Sequence, residues 1–134
     1  MLKQVNEKGN LIHLISLDDL DPSLLQDIIN RAIQYLELEF KNNSFNKILS
    51  GYTVANLFFE PSTRTRASFE LAAKKLGADV INLDVNTSSR IKGENIIDTI
   101  HTLESLYVNV FIVRDAQTGI TKKIAEHVGQ GVSV

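Results

Sequence analysis

A chain of 134 residues with 43% apolar and 22% charged side chains is composed like an ordinary globular protein, long enough to bury a core without disulfide or metal staples. Its formal charge of −2 excludes broad, salt-driven nucleic-acid binding, and no window approaches the ~18 uninterrupted apolar residues of a membrane span. The absence of cysteine removes thiol nucleophiles and Cys-based metal sites; Met1 to Lys8 hold no apolar run of secretory length, so a cytoplasmic location is expected.

From Ser23 to Phe40, Leu25, Ile28, Ile29, Ala32, Ile33, Leu36 and Phe40 share one helical face. Asp21 suits the cap, and Pro22 falls in the first turn, where its missing N–H costs nothing. Asn42 to Gly51 is polar and reads as a connection. Tyr52 to Phe59 is a β-rich run long enough for one buried strand. Beyond Glu60-Pro61, a second helix sets Phe69, Ala72, Ala73 and Leu76 on one face, and Gly77 fits the position just past its end. Asp79 to Leu83 is the next strand. The polar segment from Asp84 to Gly93 has no hydrophobic period. Ile96, Ile97, Ile100, Leu103 and Tyr107 mark a third helix, with Asn95 and Asp98 as a cap pair. Val110 to Val113 is a third strand. Ile120, Ile124, Ala125 and Val128 mark a fourth helix closed by Gly129, and Val132 to Val134 open a fourth strand.

Alternating strands and helices imply βαβ units: an α/β fold with a parallel sheet and helices on both faces. One domain spanning residues 1–134 is expected. Because the sequence stops within a core strand, further protein is expected to follow.

In such a sheet, ligands sit beyond the carboxyl ends of the strands. Three segments reach that edge: Glu60 to Arg66, Asp84 to Glu94, and Arg114 to Gln117. In the first, Ser62, Thr63 and Thr65 offer hydroxyls beside the unsatisfied amides of a helix N-terminus, a natural seat for phosphate. Arg64 adds a planar fork that grips two phosphate oxygens at once. With no glycine-rich Walker pattern, a small phosphorylated molecule fits better than a nucleoside triphosphate. The plainer alternative is a Ser/Thr pair that caps a helix bearing two surface arginines.

The run Phe58-Phe59-Glu60-Pro61-Ser62-Thr63-Arg64-Thr65-Arg66-Ala67-Ser68-Phe69-Glu70 closely resembles the signature of aspartate and ornithine carbamoyltransferases. Ser88 to Glu94, with Lys92-Gly93-Glu94, resembles the mobile loop of the aspartate branch. Val113-Arg114 resembles that family's strand-end arginine. Glu60-Pro61 also favours the aspartate branch, since the ornithine branch usually carries lysine at the first of these positions.

The resemblance implies the N-terminal half of a two-domain enzyme, a carbamoyl-phosphate-binding domain. Its reaction would pass the carbamoyl group of carbamoyl phosphate to L-aspartate in pyrimidine synthesis, with ornithine or another amino acid as the alternative acceptor. By matching positions, Ser62, Thr63, Arg64 and Thr65 hold the phosphate, and Thr65 and Arg114 reach the carbamoyl oxygen. Lys92 contacts phosphate and aspartate in a neighbouring subunit's site, and Glu60 bridges to the second domain on closure. A homotrimer with shared sites is implied, with regulatory chains as possible companions. No cofactor, metal, nucleic acid or membrane is implied.

The chain departs from the family in two respects. The His-Pro-Thr-Gln motif and the aspartate-gripping second domain do not lie within residues 1–134. The chain is thus expected to bind carbamoyl phosphate without useful turnover, and a non-catalytic anion-binding module of the same fold stays open. Elsewhere, Lys92 also reads as a solvated loop lysine, and Arg114 as a strand-end salt bridge to Asp115 or Glu94. Arg66 is expected in a structural or subunit contact. His13, His101 and His127 are expected at the surface or in caps, and Phe58-Phe59 in the core.

Overall fold

The structure is a computed structural model and describes residues 2–41, 45–84 and 95–134. Three strands, β1 (Thr53–Phe58), β2 (Asp79–Asp84) and β3 (Val110–Arg114), form a parallel sheet in the order β2-β1-β3. Parallel neighbours need a crossover. The described part of each crossover contains a helix: α2 (Thr63–Lys75) between β1 and β2, and α3 (Ile96–Ser105) between β2 and β3. A long α1 (Pro22–Phe40) precedes the sheet, and a short α4 (Ile120–Ala125) follows it.

Because β1 is central, Val54 through Phe58 are all buried. Alternation along the strands separates two faces. On one, Ala55, Leu57 and Phe111 pack against Ile100 and Leu103 of α3 and against Ile120 and Ile124 of α4. On the other, Val54 packs with Ala73 of α2 and with Ala78. Helices therefore cover both faces, as the alternation of elements requires. The first face is the richer, and each fully buried Ile, Leu or Phe there contributes about 1.5–3 kcal/mol. Phe58 is buried and Phe59 packs against the core, as expected. The fourth strand is present only as a parallel bridge, in which Phe111 N–H donates to the Ser133 carbonyl and Ser133 N–H to the Asn109 carbonyl.

Helix ends follow the sequence closely. Asp21 caps α1 by accepting from the Ser23 N–H at 2.8 Å, with Pro22 as the first helical residue. Gly77 follows α2 at φ +91°, and Ala78 N–H closes back on the Ala73 carbonyl.

Several expectations need correction. The apolar face of α1 is not core: Ile29, Ile33, Leu36 and Phe40 are exposed, and no residue of α1 is buried. Periodicity shows that a face is apolar, not that a neighbour covers it. Ion pairing of Lys75 with Glu39, and stacking of Tyr35 on Phe45, hold only the C-terminal end of α1 near α2. In α2, Phe69 and Ala72 are exposed, and Ala73 alone is buried. Asn95 caps α3 through the Ile97 N–H, not through a reciprocal pair with Asp98. Tyr107 lies past the end of α3 and is exposed. Gly129 does not end α4 in a left-handed turn; its N–H donates to the Glu104 carboxylate.

His13 is the largest surprise of the N-terminal arm. Expected at the surface or in a cap, it is buried, and its Nδ1 accepts the Val134 N–H at 3.2 Å. Burial pushes its imidazole below the ordinary pKa. The arm is fixed by Gln4, whose amide donates to the Ser16 carbonyl and accepts from the Ile15 and Ser16 N–H groups.

Candidate functional site

At the carboxyl end of β1 the chain turns through Glu60 to Ser62 and enters α2 at Thr63. Ser62 occupies the N-cap position, yet its side chain makes no cap hydrogen bond. The first bond of the helix runs from the Arg66 N–H to the Ser62 carbonyl. The amides of Thr63, Arg64 and Thr65 therefore precede the first intrahelical donor and point out of the helix mouth.

The Ser62 hydroxyl is engaged elsewhere. Arg114, at the end of β3, extends its guanidinium over the start of α2. Its Nη1 donates to Ser62 Oγ at 2.9 Å and to Thr65 Oγ1 at 2.8 Å, while its Nε donates to Glu60 Oε1 at 2.7 Å. Phe59 N–H donates to the Arg114 carbonyl at 2.9 Å, so the two strand ends are held in step. The sequence alternatives for Arg114 were Asp115 and Glu94; the structure joins it to Glu60, and Glu94 lies outside the described residues.

This arrangement sets hydroxyl direction. A serine or threonine oxygen that accepts from a guanidinium must aim its own O–H elsewhere. Ser62 and Thr65 thus keep their own O–H groups free to donate to something other than Arg114. A guanidinium has five N–H donors; those on Nη2 have no partner among the described residues. Hydroxyls, helix amides and a partly free guanidinium lie together at the mouth of α2, a set of donors of the kind that can hold an oxyanion. Glu60 is the counterweight. With its side chain 34% exposed, the pair is worth no more than a typical surface ion pair, about 0–1 kcal/mol.

Of the remaining expected residues, Thr63 and Arg64 are exposed in the first turn of α2, and Arg64 makes no hydrogen bond or ion pair among the described residues. Arg66 is half-buried, and its charge helps to keep Glu70 ionised. Lys92 and the Ser88–Glu94 loop lie outside the described residues. Thr65 and Arg114 also line an apolar cavity of about 470 Å³, whose walls include Leu14, Phe69, Ile112 and Val113.

Sequence reasoning missed the polar network behind α2. Asn56, fully buried in β1, donates from Nδ2 to Asn82 Oδ1 at 2.9 Å, and Asn82 Nδ2 donates to Glu70 Oε2 at 2.9 Å. The available signal was an asparagine within each of two apolar strands, and the two prove to be direct register partners.

Comparison with known proteins finds the same fold in solved aspartate transcarbamoylases. The catalytic subunit of M. jannaschii aspartate transcarbamoylase is similar at 36% identity and a TM-score of 0.76, over 92% of this chain and 39% of that one. Aspartate transcarbamoylase from Trypanosoma cruzi, solved with carbamoyl phosphate and aspartate, matches at 30% identity and a TM-score of 0.75, over 90% of this chain and 37% of that one. The same enzyme with N-(phosphonacetyl)-L-aspartic acid matches at 30% and 0.74, over 90% and 38%. The chain thus spans about two fifths of the length of these enzymes. Residues 12–134 match the family described as aspartate/ornithine carbamoyltransferase, carbamoyl-P binding domain, and the chain belongs to that family.

Proposed function

We propose that residues 1–134 form a carbamoyl-phosphate-binding domain and supply the phosphate side of an aspartate carbamoyltransferase. The reaction is carbamoyl transfer to L-aspartate, giving N-carbamoyl-L-aspartate and phosphate for pyrimidine synthesis. The observation that carries this reading is Arg114 bonded to both Ser62 and Thr65 at the mouth of α2. The solved relatives bound to carbamoyl phosphate and aspartate support it, as does Glu60-Pro61 for aspartate over ornithine.

In this reading the phosphate rests on the first-turn amides, the Ser62, Thr63 and Thr65 hydroxyls, and Arg64. The carbamoyl oxygen faces Thr65 and Arg114. As the amine attacks, the new carbon–nitrogen bond forms and the carbon–oxygen bond to phosphate breaks. The amine's surplus proton leaves with the phosphate. Negative charge grows first on the carbamoyl oxygen and then on the departing phosphate, and fixed donors at both places lower the barrier without a covalent intermediate. Lys92, from a neighbouring subunit of a trimer, completes the phosphate contacts, and Glu60 exchanges Arg114 for the second domain on closure. The aspartate-binding half lies in the complete enzyme beyond these residues, and regulatory chains and a cytoplasmic setting fit the same reading.

The test is a titration of the chain with carbamoyl phosphate and with inorganic phosphate, followed by ¹⁵N NMR at Thr63, Arg64 and Thr65. Saturable shifts at those amides are expected. Arg64→Ala should cost about 10²–10³ in turnover when introduced into the complete enzyme. An intact, folded enzyme that forms no carbamoyl-aspartate would instead leave a non-catalytic anion-binding module.

A further inference from the structure

The first turn of α2 carries the anion site, yet little apolar contact holds it. Ala73, near the far end, is the only buried residue of the helix, and Thr63, Arg64, Ala67, Ser68 and Phe69 are exposed. A helix whose only buried side chain lies near its far end depends on polar contacts to fix where its first turn sits. Polar bonds tie the site-bearing half of α2 to the sheet, among them those from Arg114 to Ser62 and Thr65 and the one from Asn82 to Glu70.

We propose that Glu70 is a positioning residue for the anion site, pinning α2 to the sheet through Asn82 and Asn56 so that its first turn stays under Arg114. An ionised carboxylate only accepts hydrogen bonds. Glu70 therefore requires the amide nitrogen of Asn82, which turns Asn82 Oδ1 towards β1, and Asn56 must answer with its own nitrogen. Flipping either amide would set like atoms against each other. The polarity of the hydrogen-bond chain is thus dictated from the helix, and it leaves Asn56 Oδ1 buried with no partner among the described residues. Lys74 closes the outer end by donating to Glu70 Oε1 at 2.7 Å. Lys74 and then Asn82 hold the Glu70 carboxyl below its ordinary pKa.

The inference uses the carbamoyl-phosphate reading only to say which anion matters. Its test compares wild type with Glu70→Ala, Glu70→Gln and Lys74→Ala, measuring amide exchange at Arg66 and affinity for inorganic phosphate. Alanine is the better helix former, so propensity alone predicts slower exchange in Glu70→Ala. The tether predicts the opposite: exchange at Arg66 about tenfold faster and phosphate affinity about tenfold weaker, with protection at Leu57 and Ile100 unchanged. Glu70→Gln keeps an oxygen for Asn82 and should restore both to within about twofold, as should Lys74→Ala, which removes only the outer partner. Wild-type exchange in Glu70→Ala overturns the proposal. So does Glu70→Gln as damaging as Glu70→Ala, or equal loss of protection in the core. If Glu70→Ala does not fold, Asn82→Ala cuts the tether from the sheet side and must show the same pattern. A wild-type chain that ignores phosphate sinks the carbamoyl-phosphate reading, and the exchange comparison then decides the tether by itself.

Discussion

Arg114 commits its Nε and Nη1 donors to Glu60, Ser62 and Thr65, and that one residue organises the mouth of the site. Its position was legible in the sequence, because an arginine closing an apolar strand falls at the ligand-bearing edge of a parallel sheet. Its partners were not, since pairing across 54 residues depends on where β1 ends relative to β3. His13 shows the same limit more sharply. No pattern marks a lone histidine in an irregular arm as buried, yet its imidazole closes on Val134 and serves as an acceptor. That role requires the neutral ring, and burial lowers its pKa from the ordinary 6.5. Between the folded value and 6.5 the unfolded chain binds the extra proton and the folded chain does not. The stabilising contribution is therefore complete above 6.5 and is lost as pH falls from there through the folded value. Thermal unfolding across that window should show an acid-side drop in midpoint. His13→Asn, which keeps an acceptor but cannot protonate, should flatten that drop; an unchanged slope would assign it to the carboxylates instead.

At the scale of elements, the ends of α2 and α3 pose one problem and answer it differently. Both helices finish with a residue in the left-handed region, Gly77 at φ +91° and Tyr107 at φ 66°. In each, the following N–H reaches back to a carbonyl five residues earlier, Ala78 to Ala73 and Val108 to Leu103. Glycine adopts that geometry freely, whereas a residue with a Cβ carries about 1–2 kcal/mol of strain. A methyl group at Gly77 would also meet Lys47 Cβ at 3.0 Å. Gly77→Ala should therefore destabilise by about 1–2 kcal/mol in urea unfolding. Tyr107→Gly should stabilise by about 1 kcal/mol, because its side chain is 83% exposed and surrenders little contact. These ends also show why most elements could be read in advance. Gly77 after a periodic run is a local stop signal, and so are Asp21-Pro22 and Asn95 at helix starts. Tyr107 carries no such signal, and its place in the 3.6-residue pattern drew it into a helix that ends at Ser105.

For the whole molecule, apolar cover is unevenly distributed. Ile100 and Ile124 are fully buried against the sheet, while Ile29, Ile33 and Leu36 of α1 are each at least half exposed. The sequence presents these two sets alike, as apolar residues at helical spacing. What separates them is connection: α3 lies within a crossover and must fold onto the sheet, while α1 precedes the sheet and is bound to no strand order. The difference predicts two responses to substitution. Ile33→Glu removes no buried contact and should change stability by no more than about 0.5 kcal/mol, apart from helix propensity. Ile100→Ala should cost about 2–5 kcal/mol, because it opens a cavity beside Leu57 and Phe111. Urea unfolding of both variants at equal, low protein concentration gives the comparison, and raising the concentration adds a second. Exposed apolar rows favour self-association, so the wild-type midpoint should rise with concentration and that of Ile33→Glu should not. A loss in Ile33→Glu comparable with that in Ile100→Ala would mean that α1 is packed as the periodicity implies, and the exposed face described for it would be wrong.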